Sequence, residues 1–289
     1  HQDHYDPCFL RKLHRKRVPI YIIAGRPNFN KMLKKEKIKF TLIPHGKKFN
    51  IDENTWVYGC LHEYNDIDSS MVISNNNLSV YHGNDNFITK KSLIPLKKSV
   101  GNIDVGCIPF AFIHYYPYLL RGISKKKMTS EGNRLENQFM DYGIMQTKIL
   151  KPKIVIPFGS NLFHSDNPNS HMNKAVATPV DFVNYAQKKH KNCSKNYKTM
   201  LSGSFCLKIN GKIVPYYENI SAKKFNSELK KFINKRRKER KPFFNKKLYI
   251  KNRHLQYIQK KIEKNKDKIQ HKILIDSKKS QNGKILINL

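Results

Sequence analysis

Acidic residues and long hydrophobic runs are both scarce in this 289-residue sequence. Only 21 Asp and Glu residues stand against 56 Lys and Arg, which gives a formal net charge of +35. The longest apolar run, from Gly106 to Leu120, contains a histidine, tyrosines and two prolines, so it falls short of the roughly 18 apolar residues that span a membrane. Because 39% of the residues are hydrophobic, the chain can still form a sizeable core, and the sequence predicts a basic globular protein without a spanning helix.

Cysteine is also sparse, and its spacing excludes two common kinds of site. The five cysteines are odd in number and scattered, and no two of them form a CxxC pair. This spacing suits neither a disulfide framework nor a zinc ribbon. We therefore predict a reducing compartment, the cytoplasm.

The excess of positive charge has two interpretations. A basic surface favours an anionic partner such as nucleic acid, lipid headgroups or an acidic polysaccharide. An A/T-rich genome would raise Lys, Asn and Ile together, but it would raise Glu as well, and Glu is not abundant here. The densest basic runs are late in the chain, at 235–241 and 260–268.

Strand-like and helix-like segments alternate through the first two thirds of the chain. Short runs rich in Val, Ile and Tyr are separated by Gly, Asn and Asp turn residues, which indicates strands. Apolar residues recur at helical spacing elsewhere. This alternation predicts a layered α/β protein. The predicted strands are 18–24, 39–43, 55–61, 70–74, 78–82 and 153–158, and the predicted helices are 7–17, 129–150, 178–189 and 221–240.

The character of the sequence changes after about residue 190. Strand-like residues continue to Tyr217, a strongly basic helix follows, and the last 40 or so residues are polar and rich in lysine. We predict one domain over 1–190 and a basic C-terminal extension over 191–289.

The first four residues place two imidazoles and a carboxylate close together. His1, Asp3 and His4 can face one point only in a tight loop, such as a turn between a strand and a helix. Neutral imidazoles and carboxylates are the ligands that Zn²⁺ and Fe²⁺ accept. The alternative is a histidine-rich chain end with no role.

This opening motif resembles the metallo-β-lactamase superfamily, in which a strand ends in HxHxDH before a helix. His1, Asp3 and His4 match the last part of that motif, and its first histidine would precede residue 1. The segments 68–73 and 81–86 are similar to the strand pair that leads to the family's bridging aspartate, here Asp85.

Further segments are similar to one branch of this superfamily. The residues around Asp104 and the segment 151–173 are similar to the branch of UlaG-like lactonases, N-acyl-phosphatidylethanolamine phospholipase D and CMP-N-acetylneuraminate hydroxylase. In all, the resemblance covers about residues 1 to 185.

The resemblance implies a fold and a set of metal ligands. The fold would be a four-layered αββα sandwich whose N-terminal strands are missing. His45 is an alternative to His62, His164 is an alternative to His171, His114 is an outside candidate, and His82 could orient a ligand. The implied ligands are His1, Asp3, His4, His62, Asp85 and His171.

The resemblance also implies a chemistry. One or two Zn²⁺ ions, or iron or manganese, would supply a metal-bound hydroxide, with Asp3 as the catalytic residue that holds the attacking water. The expected reaction is hydrolysis of an ester, lactone, amide or phosphodiester in a small anionic substrate. The alternatives are a nuclease of the same superfamily, redox chemistry at two irons, and a non-catalytic basic module that binds RNA or an anionic surface.

Overall fold

The computed structural model describes residues 5–64, 68–111, 116–118, 120, 122–159, 173, 177–189, 196–200, 203–216, 222–244, 256–257, 260, 277–279 and 285–287. The chain divides into two compact units, His1–Ile233 and Asn234–Leu289. The helices are α1 (Pro7–Arg15), α2 (Pro27–Lys35), α3 (Lys90–Val100), α4 (Lys125–Leu150), α5 (Pro179–Lys189) and α6 (Ala222–Phe244). The strands are β1 (Tyr21–Ile23), β2 (Thr41–Ile43), β3 (Lys48–Asn50), β4 (Thr55–Leu61), β5 (Ser69–Asn75), β6 (Ser79–His82), β7 (Val105–Pro109), β8 (Ile154–Phe158), β9 (Phe205–Ile209), β10 (Lys212–Tyr216), β11 (Ser277–Lys279) and β12 (Ile285–Ile287).

A six-stranded sheet in the order β3-β4-β5-β6-β7-β8 forms the centre of the first unit. Strands β3 to β6 are antiparallel, whereas β6, β7 and β8 are parallel to one another. Parallel neighbours need a crossover, and α3 and α4 supply the two crossovers. The predicted α/β class is therefore confirmed.

One face of this sheet packs against α3, α4 and α5. Tyr81 on β6 and Leu93 on α3 are fully buried in this core. Each fully buried side chain of this size contributes about 1.5 to 3 kcal/mol to folding. The core therefore fixes the position of the strands relative to the helices.

Strand pairs cover parts of the opposite face. Ile23 of β1 packs so closely on β4 that a Cβ atom at Gly59 would lie 2.6 Å from its side chain. Behind β1, Ile22 packs with Leu33 of α2 and with Leu10 of α1. At β4, the layers thus follow the order helix, strand pair, six-stranded sheet and helix. This is the predicted αββα order. The second strand pair, β9 and β10, is an antiparallel hairpin.

Most of the predicted elements are present, with shifted ends. Helix α4 begins four residues before its predicted start because the Ser124 hydroxyl accepts a hydrogen bond from Lys127 N and caps the helix. Helix α3 was not predicted, since Pro95 stands inside it and lysines interrupt its apolar spacing. Its Leu93 and Leu96 nevertheless lie fully buried, so tertiary packing stabilises this helix.

Residues beyond the predicted boundary at 190 also belong to the core of the first unit. Tyr197 is buried, and its ring meets the ring of Phe182 edge-on with centroids 5.9 Å apart. The next residue, Lys198, donates its N–H to the carbonyl of Val155 at 2.9 Å. The division into 1–190 and 191–289 stays a prediction.

Among the described residues of the second unit, regular secondary structure consists of the end of α6 and the antiparallel pair β11–β12. No helix in the described part of the chain combines the length and the apolar character that crossing a bilayer requires.

Candidate metal site at the carboxyl edge of the sheet

Several strand ends meet at one edge of the six-stranded sheet. His82, the last residue of β6, is paired with Cys107 of β7, and Pro109 of β7 is paired with Phe158 at the end of β8. Strand β4 ends at the same edge, where Leu61 is paired with Ser69 at the start of β5. In open α/β sheets, ligands bind outside the carboxyl ends of the strands. This edge is therefore the place to seek a functional site.

The loop after β6 has a fixed backbone. The N–H of Gly83 bonds to the carbonyl of Cys107 at 2.9 Å, and a Cβ atom at this glycine would lie 2.3 Å from Pro109 Cδ. Any larger residue at Gly83 would force the loop away from β7. Asn84 then adopts a φ of 50°, which asparagine tolerates better than most residues. This turn presents Asp85 at the edge of the sheet.

Asp85 faces the end of β8. Its Oδ1 lies 3.9 Å from the position that a Cβ atom would take at Gly159, the first residue after that strand. Gly159 has a φ of +70°, and this backbone conformation favours glycine here. The predicted bridging carboxylate thus lies where β6 and β8 end together.

His82 lies beside this carboxylate in an environment that keeps its ring neutral. Its ring meets that of Phe158 edge-on, with centroids 4.4 Å apart. Burial lowers the pKa of His82 below its usual range, although the neighbouring Asp85 carboxylate acts in the opposite direction. A neutral imidazole retains a lone pair that can bind a metal or accept a proton.

His62 follows β4, and its hydrogen bonds bear on its predicted role. Its backbone N–H bonds to the carbonyl of Asp68 at 3.0 Å, which continues the β4–β5 pairing by one residue. Its Nδ1 accepts a hydrogen bond from the N–H of Tyr64 at 3.1 Å, so the neutral ring carries its proton on Nε2. Metal-ligating histidines usually donate their second ring N–H. Binding of a metal to Nε2 would place the ring proton on Nδ1. Nδ1 could then no longer accept the hydrogen bond from Tyr64, so that bond would have to break.

The alternative candidate, His45, is held next to the same strand. Its Nδ1 accepts the N–H of Leu61 at 3.1 Å, and its backbone forms a β-bridge with Gly59. Gly46 follows with a φ of +70°, a backbone conformation that is typical of a turn. His45 thus helps to hold the end of β4 from which His62 projects.

Asp68 was not among the predicted ligands, but its carboxyl group interacts with the same cluster. Burial raises the pKa of Asp68, and the charge of Asp85 raises it further, against the opposing effects of Arg26 and His62. Two carboxylates in mutual repulsion are typical of sites that bind a cation. Asp68 immediately precedes β5, and in the sequence alone it cannot be told from an ordinary turn residue.

The described residues hold only part of the predicted ligand set. His1, Asp3, His4 and His171 lie outside them, as do the alternatives His164 and His114. In the ranges that the structure describes, no group of three or more His, Cys, Asp or Glu side chains is arranged to hold a metal ion. What the described residues provide at this edge is imidazole and carboxylate donors, which fit Zn²⁺, iron or manganese in kind.

A search with protein-family models finds no match to this chain, and a search of curated proteins finds none either. Among solved structures, CmlA, a diiron β-hydroxylase from Streptomyces venezuelae, matches at 15% identity with a TM-score of 0.45, over 66% of this chain and 41% of that chain. An inferred metal-dependent hydrolase from Parabacteroides distasonis matches at 17% identity with a TM-score of 0.35, over 61% and 67% of the two chains. The metallo-β-lactamase fold protein YhfI from Bacillus subtilis matches at 12% identity with a TM-score of 0.34, over 60% and 67%. The chain spans less than half the length of the CmlA chain that it matches. Similarity to metallo-β-lactamase fold proteins, predicted from HQDH and Asp85, is thus found among solved structures, while the UlaG-like branch stays a prediction.

Proposed function

We propose that this chain carries a metal-dependent hydrolase site at the carboxyl edge of its six-stranded sheet. The observation that carries this proposal is that His82, whose pKa is lowered by burial, lies close enough to the Asp85 carboxylate to feel its charge, on a loop whose Gly83 N–H is bonded to Cys107 of β7. Asp68 and His62 interact electrostatically with the same cluster. A site with repelling carboxylates and imidazole donors suits a divalent cation.

The proposed roles follow from the donor chemistry. His62 and Asp85 would hold metal together with His1, Asp3, His4 and His171. A bound divalent metal lowers the pKa of water and polarises a carbonyl or phosphoryl oxygen of the substrate. Asp3 would hold the attacking water in place. His82 lies beside Asp85 and would orient its carboxylate, and the Phe158 ring excludes water from one side of the imidazole.

The substrate class follows from charge. With a net charge of +35, the chain would attract anionic substrates and increase their rate of association. We therefore propose an anionic ester, lactone, amide or phosphodiester. Zinc, iron and manganese all accept the same histidine and carboxylate ligands, so metal analysis must identify the ion.

Replacement of Asp85 by Asn tests this proposal, because the amide keeps the shape of the side chain and removes its charge. We expect the wild-type chain to bind one or two divalent ions. Asp85→Asn should weaken metal binding at least about 10-fold and lower hydrolysis of an anionic ester at least about 100-fold. Metal content by mass spectrometry and initial rates give the two measurements.

Asp52→Asn is the matched control, since Asp52 accepts a hydrogen bond from Asn54 N in an exposed turn where Asn serves equally well. This variant should keep wild-type metal content and activity. A wild-type chain without stoichiometric metal, or an Asp85→Asn variant with full metal affinity, would contradict the proposal.

The charge distribution on α6 favours a second function, the binding of a polyanion. Helix α6 has ten Lys and Arg residues and two Glu in 23 residues, a far higher density of positive charge than the chain as a whole. Its half-buried residues recur every fourth position, as Phe225, Leu229, Ile233 and Arg237. Lys230, Lys231 and Lys235 lie on the exposed remainder of the helix. Because most of the apolar positions are already half-buried, insertion into a lipid surface is disfavoured, and we propose single-stranded RNA as the polyanion.

Titration with a single-stranded RNA oligonucleotide at several salt concentrations tests this second function. Replacement of Lys230, Lys231 and Lys235 by Gln should weaken binding at 50 mM salt about 10-fold or more and reduce the salt dependence by two to three released ions. The control replaces Lys125, Lys126 and Lys127, which are exposed in the first turn of α4, and should change affinity much less. Equal losses in both variants would indicate a diffuse charge effect. Tighter binding to anionic vesicles than to RNA would replace RNA by a membrane surface.

A further inference from the structure

Three chain segments that meet at the proposed site are joined by one buried side-chain amide. We propose that Asn86 is a positioning residue that fixes the relative placement of His62, Asp68 and Asp85. This inference rests on the proposed metal site and deepens it by naming the residue that holds its parts together. Asn86 itself belongs to none of the predicted ligands.

The contacts of Asn86 carry the proposal. Asn86 is 0% exposed, and its Nδ2 donates to the carbonyl of Cys60 at 2.9 Å and to the Oγ of Ser70 at 3.1 Å. Cys60 stands two residues before His62, and Ser70 stands two residues after Asp68. Asn86 is next to Asp85 in the chain, so one amide group joins the end of β4, the start of β5 and the loop after β6.

The partners of Asn86 are themselves held rigidly. Ser70 is fully buried and also hydrogen-bonds the phenol of Tyr81. That phenol donates to the Oε1 of Gln146 on α4 at 2.9 Å. Because buried hydrogen bonds are costly to leave unmade, the direct bond to the buried Ser70 hydroxyl holds the Asn86 amide in the core.

A second connection runs parallel to the first. Glu63, the residue after His62, accepts hydrogen bonds from the N–H of Thr89 at 2.8 Å and from its hydroxyl. Thr89 is the residue that caps α3, at the end of the loop that starts with Gly83. The loop that presents Asp85 is thus tied to the β4 end both in its middle, through Asn86, and at its end, through Thr89. Only the Asn86 connection also reaches the start of β5.

Asn86→Leu tests the proposal, because leucine matches asparagine in shape and its side chain has no polar atoms. The Oδ1 of Asn86 is buried with no hydrogen-bond partner among the residues that the structure describes, so Asn86→Leu removes two donated bonds and no accepted one. Gln146→Met is the matched control. Gln146 is an equally buried amide whose Nε2 has no such partner either within the described ranges, but its carbonyl bonds to Tyr81, away from the strand ends.

The first measurement is the binding of Co²⁺ to the full chain, followed by its visible absorption spectrum, with urea unfolding of each metal-free variant alongside. Asn86→Leu should weaken Co²⁺ binding about 10- to 100-fold and change the ligand-field bands. Gln146→Met should lose similar stability and keep affinity and spectrum within about twofold of wild type. An unchanged spectrum and affinity in Asn86→Leu, or equal losses in both variants, would overturn the proposal.

The second measurement needs no metal and separates this inference from the proposed function. Amide hydrogen exchange at Gly83, which bonds to Cys107, and at His62, which bonds to Asp68, should be at least about 10-fold faster in Asn86→Leu than in Gln146→Met. If wild type binds no Co²⁺ and the exchange result holds, the metal site fails while the positioning role of Asn86 stands. Equal amide exchange rates in the two variants would contradict the positioning role of Asn86, whether or not the chain binds metal.

Discussion

The two edges of the six-stranded sheet place carboxylates in opposite electrostatic environments. At the amino-terminal edge, Asp104 precedes β7, and its carboxylate accepts the N–H of Ser79 at 3.0 Å and pairs with Lys153 at 2.7 Å and with Lys208 at 3.3 Å. Burial raises the pKa of Asp104, but its hydrogen bonds and the lysine charges outweigh that effect, and the pKa lies below the usual range. At the carboxyl edge, the pKa of Asp68 is raised by burial and by its repulsion from Asp85.

This difference separates a carboxylate that stabilises the fold from carboxylates that the proposed metal site would use to bind a cation. Asp104 has its compensating charges within the chain, and Lys208 connects it to the β9–β10 hairpin. The repulsion between Asp68 and Asp85 is a cost in folding that binding of a cation would relieve. The segment around Asp104, which resembles one branch of the superfamily in sequence, therefore has a structural explanation of its own.

The largest expected effect comes from removing one carboxylate from each edge of the sheet in separate variants. Asp104→Ala leaves two lysines and the Ser79 N–H without their partner and should lower the free energy of unfolding by roughly 3 kcal/mol. Asp85→Ala should change the stability of the metal-free chain by less than about 0.5 kcal/mol, since Asp85 is exposed. Urea unfolding at pH 7 measures both changes. Equal destabilisation by the two variants would contradict the distinction between the edges.

A half-buried carboxylate, Glu136, extends the comparison to α4. Burial raises the pKa of Glu136 to about 7, with a contribution from the charge of Asp181 and against a backbone hydrogen bond from Ala177. Because the folded-state pKa is raised, the folded state favours the protonated form. The stability that this group contributes is full below the unfolded pKa near 4.5 and is lost as the pH rises through about 7.

Glu136→Gln removes this titration. The variant should be more stable than wild type by about 1 to 2 kcal/mol at pH 8, a figure reduced for solvent screening, and no more stable than wild type below pH 4.5. Unfolding curves across that pH range measure the difference. A constant difference at all pH values would show that Glu136 does not titrate as the structure implies.

The smallest effects come from the two lysines that neutralise Asp104. The side chain of Lys208 is 26% exposed and that of Lys153 is 51% exposed, so water screens the second pair more strongly. Lys208→Met should cost about 1 kcal/mol and Lys153→Met about 0.5 kcal/mol, measured by urea unfolding. The reverse order would mean that distance, which is shorter for Lys153, outweighs burial.

Local pattern and short-range chemistry predicted most of the fold. The strands 55–61 and 153–158 were found within one residue, because β-branched and aromatic residues stand between clear turn residues. Helix α5 was also predicted, in this case from its apolar spacing. Helices α2 and α3 and strand β7 were not predicted, since their stability comes from burial against the sheet. The sequence did place Asp85 and His62 among the candidates, and the structure brings both to the carboxyl edge.

What the sequence by itself determined is the set of residue types: a basic chain, strands and helices in alternation, and histidines with carboxylates in spaced motifs. What only the tertiary structure decided is that Asp104 lies within reach of Lys153 and Lys208. Asp104 precedes β7 and Asp85 follows β6, and their neighbours along the chain do not show which of the two meets lysine side chains. Lys208 meets Asp104 across 104 positions of sequence, and Asn86 reaches Cys60 across 26. Such contacts depend on the register of the sheet, and a one-residue shift in that register would turn each side chain to the other face.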